Sequence, residues 1–382
     1  MGFFYNGGGE RTALSQSIEL TNRGHEVEVF APTVEAECYP ELQAKTKIEE
    51  TAEIIPRRAP LRNGLGMIYS SLMIPYRRLN QFDVIVAHGQ PSCWIAMKVK
   101  QRHQIPYAAY LHQVNRFFLP RSVDKETGWG VNKDLKLLEL VHRGNLILKG
   151  ADRCTIRSSD IVLTNSKWIG GKIKDYYDIK AHVLHPGVDT DSFVEPSNRD
   201  RSNIYMLSTN RHYPQKRLDH LIRCFKIVSR TLPNVRCVIT GAHTEYTKEL
   251  KRLSERLEIP EKVVFTGNLT YQDLVRTYQN AYVYTYTSPE EDFGLGPLEA
   301  ASCGVPSIVW DHAGPRETVI DGETGYRVKP YDLREMARRH VKLLEDETLR
   351  DSLGRNAQRM ARKMYSWRRH AAKLERILEG LV

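Results

Sequence analysis

The sequence predicts an α/β fold of two domains, each built on a parallel sheet, on three observations. Strand-like runs alternate with helical patterns from end to end, the arrangement that builds parallel sheets from β-α-β units. The chain has 382 residues, more than one ordinary hydrophobic core organises. Midway the alternation lapses into DTDSFVEPSNRDRSN, residues 189–203, a polar stretch without periodicity that reads as a linker. The expected boundaries are 1–190 for the first domain and 200–365 for the second, with a separate helix over 366–382.

In chain order, the strand candidates of the first half are VEVFAP, FDVIVAH, YAAYLH, DIVLTNS and HVLHPG. Those of the second are IYMLSTN, RCVITG, KVVFTG, AYVYTYT, PSIVW and TGYRV. They are rich in the β-branched and aromatic residues that suit a pleated, half-buried surface. A helix follows the first strand of the second half, because Leu218, Leu221, Ile222, Phe225 and Val228 recur at helical spacing. Near the start, three glycines in NGGGER precede a helical stretch. A dinucleotide fingerprint would need a third spaced glycine and an acid where Pro32 stands, so this cluster is not one. Only MGFFY precedes it; the first strand is therefore expected to be a stub, and a chain extended there by a strand's length to be more stable. The stretch MYSWRRHAAKLERILEGLV ends the chain as a helix.

Composition narrows the function class. Six cysteines show no C-x-x-C pairing and no histidines at zinc spacing, so neither a metal site nor a disulfide framework is indicated. No apolar run approaches the ~18 residues of a membrane helix, and no signal segment opens the chain. A cytoplasmic location is expected. The net charge is +10, yet no nucleic-acid-binding motif accompanies it.

The residues able to carry chemistry fall at predicted strand ends, where open α/β sheets bind ligands. SPEEDFGLGPLEA, Ser288 to Ala300, follows a strand and leads into a helix that Pro297 opens. Phe293, Gly294, Leu295 and Gly296 thus lie where unpaired N–H groups and a positive dipole end hold phosphate or hydroxyl oxygens. Glu291 and Glu299 bracket a ligand bound there. With Gly296 at the expected cap, Glu299 is not half of a capping box. The loop RHYPQKRLDH carries Arg211 and Lys216, two fixed cations that can stabilise a leaving diphosphate without a metal. His112 ends one strand and His88 another. Asn165 and Ser166 end a third, although Asn-Ser is also an ordinary helix cap.

The block from Ser288 to Val328 resembles the donor site of the retaining glycosyltransferases with two facing Rossmann-like domains, the GT-B enzymes of the glycosyl transferases group 1 family (family 4). Further blocks fall in that family's order over nearly the whole chain. The resemblance implies that the first domain binds acceptor, the second binds a nucleoside-diphosphate sugar, and a terminal helix beginning near Tyr365 to Trp367 crosses back to the first domain. By the same resemblance, Arg211 and Lys216 neutralise the leaving diphosphate and Glu299 holds the ribose. Glu291, Phe293 and the Gly294 and Leu295 backbone hold the sugar, with His112 beside its reacting carbon. Gly267 and Asn268 pass the base, Gly8 and Gly9 the phosphates, and Asn165 faces the cleft. The departing phosphate takes the acceptor's proton, and neither metal nor other cofactor is required. NGGGER, SSDIVLTNS and STNRHYPQK are most similar to mannosyltransferases that extend lipid-linked oligosaccharides, which makes GDP-mannose the expected donor.

From Ile54 to Val123, Arg57, Arg58, Arg62, Arg77, Arg78, Lys98, Lys100, Arg102, Arg116 and Arg121 face a lone acid, Asp83. Lysines and arginines near anionic lipid contribute ~1 kcal/mol each. A peripheral position on a membrane is therefore expected, with Phe117, Phe118 and Leu119 at the headgroup layer and a lipid-linked acceptor. Two alternatives share the fold: a sugar-nucleotide epimerase, or a non-catalytic protein that binds nucleotide sugars.

Overall fold

The computed structural model describes residues 2–4, 6–51, 69, 76–116, 118–128, 146–199 and 202–382. They form two compact units: 1–119, 133–187 and 367–382 make one, and 120–132 with 188–366 make the other.

In the first unit, β1 (Val29–Ala31) pairs in parallel with β2 (Ile48–Glu50). A second parallel sheet runs β3 (Ile85–His88), β4 (Tyr107–Leu111), β5 (Ile161–Thr164), β6 (His182–Val183). β4 is buried along its whole length. Tyr107, Ala109 and Leu111 enter one core cluster, and Ala108 and Tyr110 another, as expected of an interior strand covered on both faces. The terminal helix, Trp367–Glu379, belongs to this unit: Leu374 and Leu378 join Leu20, Tyr110 and Leu184. His370 fixes it further, its Nδ1 donating to the His185 carbonyl at 2.7 Å and its Nε2 accepting from Gln16 at 2.8 Å. The expected first strand is a single parallel bridge, Phe3 to Val34. Beside it a cavity of about 620 Å³ is walled by β1, β3 and the helices Gly8–Asn22 and Trp367–Glu379.

The second unit is one parallel sheet of β7 (Tyr205–Thr209), β8 (Arg236–Thr240), β9 (Val263–Gly267), β10 (Val283–Tyr286), β11 (Ser307–Trp310) and β12 (Gly325–Val328), ordered β12-β11-β10-β7-β8-β9. The strand order reverses between β7 and β10, the doubly wound arrangement. The helix Leu218–Thr231 buries Leu218, Leu221, Ile222, Phe225 and Val228 against this sheet's core. Its spacing had to place those residues on one stripe.

The fold class is the one the alternation predicts, with two differences in detail. The described part of the polar stretch expected as a linker belongs to the second unit, and its one aromatic residue, Phe193, is fully buried against Tyr271 and Tyr278. Conversely, Pro120–Asn132 lies in sequence within the first half but belongs to the second unit. No described helix is long and apolar enough to cross a membrane. All six cysteines are free and five are buried.

Candidate functional site

Where the strand order reverses, the loops leaving the two neighbouring strands must diverge and leave a crevice at their carboxyl ends. In the second unit these strands are β7 and β10. The loop after β7 carries Arg211 and Lys216, and the loop after β10 carries Ser288 to Gly294. The two meet in an ion pair: Lys216 Nζ donates to Glu291 Oε2 at 2.6 Å, with the side chains 15% and 17% exposed. The Ser288 hydroxyl donates to the same oxygen at 2.8 Å. Burial alone would raise the Glu291 carboxyl, but Lys216, then Arg121, outweigh it and hold the pKa down to about 2. Burial lowers the Lys216 ammonium while Glu291 opposes that shift. Arg211 lies over the Tyr213 ring, 5.4 Å from its centroid.

The helix Leu295–Ser302 starts two residues earlier than Pro297 suggests. Its cap is Gly294 at φ 94°, a left-handed conformation that glycine adopts without strain. The cap is therefore Gly294 rather than Gly296, and Pro297 is the third residue of the helix. Gly296 serves packing instead: an added Cβ there would collide with the Tyr284 hydroxyl. Phe293 is buried, with its ring 6.1 Å from that of Tyr365, and Leu295 is half-buried. Glu299, 6% exposed, accepts a hydrogen bond from the Tyr278 hydroxyl at 2.6 Å. Thr209 Oγ1, at the end of β7, meets the Tyr278 and Tyr284 hydroxyls at 2.5 and 2.9 Å. A hydroxyl network thus orients Glu299 from beneath. Gly267 ends β9 at φ 73° beside the His243 ring, and Asn268 is exposed.

The remaining expected residues lie in the first unit. His112 and His88 stand together, Nε2 to Nδ1 3.0 Å apart with rings stacked at 5.2 Å. Burial holds His112 neutral, its pKa lowered to about 3. Asn165 Nδ2 donates to the His112 carbonyl at 2.9 Å, while Ser166 caps the next helix by accepting from Ile169 N–H at 3.1 Å. Of the two uses of Asn-Ser, capping falls to the serine. Gly8 and Gly9 occupy the first turn of the helix Gly8–Asn22, whose cap is Gly7.

Sequence reasoning missed three things. The tyrosines around Glu299 were legible only as strand composition, although Tyr284 and Tyr286 alternate in register. Arg121, grouped above with a membrane-facing basic stretch, is buried: its Nε and Nη2 donate to Asp124 at 2.9 and 2.7 Å. Within that same stretch Arg57, Arg58, Arg62 and Phe117 lie outside the described residues, and Arg78 pairs with Glu49 and Glu28. Finally, Asp189-Thr190-Asp191 is an Asp-x-Asp sequence, the pattern of metal-dependent glycosyl transfer. Here Asp189 Oδ1 instead accepts from the Asp191 and Ser192 amides at 3.1 and 3.0 Å, and its Oδ2 accepts from the Tyr271 hydroxyl at 2.6 Å.

Comparison with known proteins bears on the family and the fold. Residues 6–192 match Glycosyltransferase Family 4 and residues 189–360 match Glycosyl transferases group 1. The GDP-mannose-dependent alpha-(1-6)-phosphatidylinositol monomannoside mannosyltransferase of Mycolicibacterium smegmatis is 29% identical over 242 residues, 58% of this chain and 63% of that protein. Alpha-1,3/1,6-mannosyltransferase ALG2 of Homo sapiens is 20% identical over 98% of this chain and 94% of its own length. With the mannosylfructose-phosphate synthase of Agrobacterium fabrum, the match spans 54% of the relative's length. Among solved structures, Anabaena Alr3699/HepE in complex with UDP and glucose has a TM-score of 0.77 at 18% identity, covering 99% of this chain and 98% of that one. The sucrose-phosphate synthase of Thermosynechococcus elongatus has a TM-score of 0.78 at 17% identity, covering 98% and 94%. With both halves matched and the GT-B fold in place, the chain belongs to the glycosyltransferases of the group 1 and family 4 kind.

Proposed function

We propose that this protein moves a hexose from a nucleoside-diphosphate sugar to a hydroxyl acceptor, with retention of anomeric configuration and without a metal. The observation that carries this reading is the Lys216–Glu291 pair at the reversal point of the second sheet. A buried ammonium has three N–H donors, of which Glu291 takes one. With Arg211 it stabilises the diphosphate as it departs. Glu299, oriented by Tyr278, holds the ribose. Glu291 and the N–H groups opening the helix at Gly294 and Leu295 hold the sugar hydroxyls. The departing phosphate accepts the acceptor's proton, so no protein base is needed; His112, neutral and buried, positions the sugar rather than titrating.

GDP-mannose is the first donor, supported by the similarity to the GDP-mannose-dependent mannosyltransferase of Mycolicibacterium smegmatis. The first unit binds acceptor and the second binds donor. The acceptor is lipid-linked, met at the cytoplasmic face of a membrane, where the exposed Leu146 and Ile147 beside Lys149 suit an interfacial position. A thermal-shift screen against sugar nucleotides tests the donor assignment, since a ligand bound only by the folded protein raises its melting temperature. A rise with GDP-mannose supports it; no rise with any sugar nucleotide overturns it. For the membrane, binding to anionic vesicles at low salt that is lost at high salt is expected, and absence of binding at low salt leaves a soluble acceptor.

A further inference from the structure

The segment Arg121–Glu126, in the first half of the chain, is tied by its contacts to the donor loops. Its short helix, Ser122–Thr127, has no side-chain cap of its own. Glu290 supplies one from outside, its Oε2 accepting from the Val123 amide at 3.0 Å. Arg121 grips Asp124 with two N–H bonds and sends its third arm to the Glu290 carbonyl at 3.3 Å. At the other end of the segment, Glu126 forms an ion pair with Arg217.

The two residues held in this way share a property. Glu290 has φ 50° and Arg217 φ 52°, left-handed conformations that side chains with a Cβ rarely adopt. Such strain persists where surroundings over-determine it, and it collects at functional sites. Glu290 precedes Glu291, and Arg217 follows Lys216. Each strained residue is therefore the direct neighbour of one member of the ion pair, and each is tied to the same six-residue segment. Relaxing either would turn its neighbour away from the crevice. The arginine's charge acts in the same direction, since it helps keep Glu291 ionised.

We infer that Arg121–Glu126 is a staple that sets the geometry of the Lys216–Glu291 pair, with Arg121 the positioning residue for the sugar end of the donor. The inference rests on the donor reading above and deepens it. Planar bidentate contact with Asp124 leaves the guanidinium one direction for its third bond, so Glu290 is held at a fixed place. A lysine would keep the charge and lose the fork.

The test is calorimetric binding of GDP and GDP-mannose, and of UDP and UDP-glucose, to the wild-type protein, Arg121→Ala, Arg121→Lys and Glu126→Gln, each checked for folding by circular dichroism. The added affinity of the nucleotide sugar over its diphosphate isolates the sugar contacts. In Arg121→Ala that increment is expected to fall tenfold or more while diphosphate affinity changes less than threefold, and Arg121→Lys is expected not to restore it. Glu126→Gln, altered at a largely exposed end, folds whatever becomes of Arg121→Ala; it frees Arg217 beside Lys216 and is expected to weaken diphosphate and nucleotide sugar alike, by a few-fold. An unchanged increment in Arg121→Ala, or in Arg121→Lys should Arg121→Ala not fold, overturns the inference alone; so does equal weakening of diphosphate and sugar nucleotide in that variant, or unchanged diphosphate affinity in Glu126→Gln. A wild-type protein that binds neither ligand pair overturns the donor reading beneath it.

Discussion

A carboxylate taken out of water stays ionised only where partners offset its desolvation, and such sites concentrate where function needs a fixed charge. Glu291 meets that condition through Lys216, Arg121 and the Ser288 hydroxyl. Because its folded pKa of about 2 lies below the ordinary 4.5, its contribution to stability is complete above pH 4.5 and is lost as pH falls towards 2. The stability difference between wild type and Glu291→Gln should therefore be constant at neutral pH and shrink across that window; a difference that does not change there contradicts the pairing. Removing a cation that stabilises transition-state charge in a dry site costs ~2.7–4 kcal/mol. Lys216→Ala and Arg211→Ala should accordingly lose two to three decades in turnover while keeping their far-ultraviolet circular dichroism, and near-normal rates in both would remove these residues from the site.

At the scale of elements, the helix Leu295–Ser302 can approach β10 only because Gly296 carries no side chain. The Tyr284 hydroxyl fills the space and joins Thr209 and Tyr278 beneath Glu299. Gly296→Ala should cost about 1–3 kcal/mol through overpacking and loosen Glu299. A lower melting temperature together with weaker nucleotide binding is the expected result, and an unchanged protein would mean that the helix tolerates a shift. This element also marks how far the sequence was legible. Strand composition before Ser288 and helix composition after Pro297 located the junction to within a few residues, since both signals are local. The cap fell on Gly294 rather than Gly296 because a left-handed cap depends on how the helix docks, which no local pattern encodes. The staple was illegible for a similar reason: Arg121 lies some 170 positions from Glu290, and among the arginines and lysines around it nothing distinguishes a buried fork from a solvated charge. Phe193 likewise sits in a polar run whose composition promised a linker.

For the whole molecule, acid is the condition that tests the interior. His112 is lowered to about 3, and His212, His340 and His370 to about 4, all chiefly by burial. Each is neutral in the folded protein and protonates near 6.5 once unfolded, so stability is full above that value and falls with pH down to about 4. Each such histidine adds up to one proton to the unfolding slope. His340 donates to the Met336 carbonyl and lies 2.7 Å from the Thr285 hydroxyl; His340→Gln should be less stable at neutral pH yet lose less on acidification, and parallel pH curves for the two proteins contradict the buried neutral state. The central proposal, that the protein transfers a hexose from a nucleotide sugar with retention and without metal, is tested most directly by proton NMR of a reaction of the protein with GDP-mannose and a lipid-linked acceptor in excess EDTA. The account predicts equal amounts of GDP and a mannoside with the α configuration of the donor. A β-mannoside, a new sugar nucleotide without GDP, or product that appears only when Mg²⁺ or Mn²⁺ is restored would contradict it.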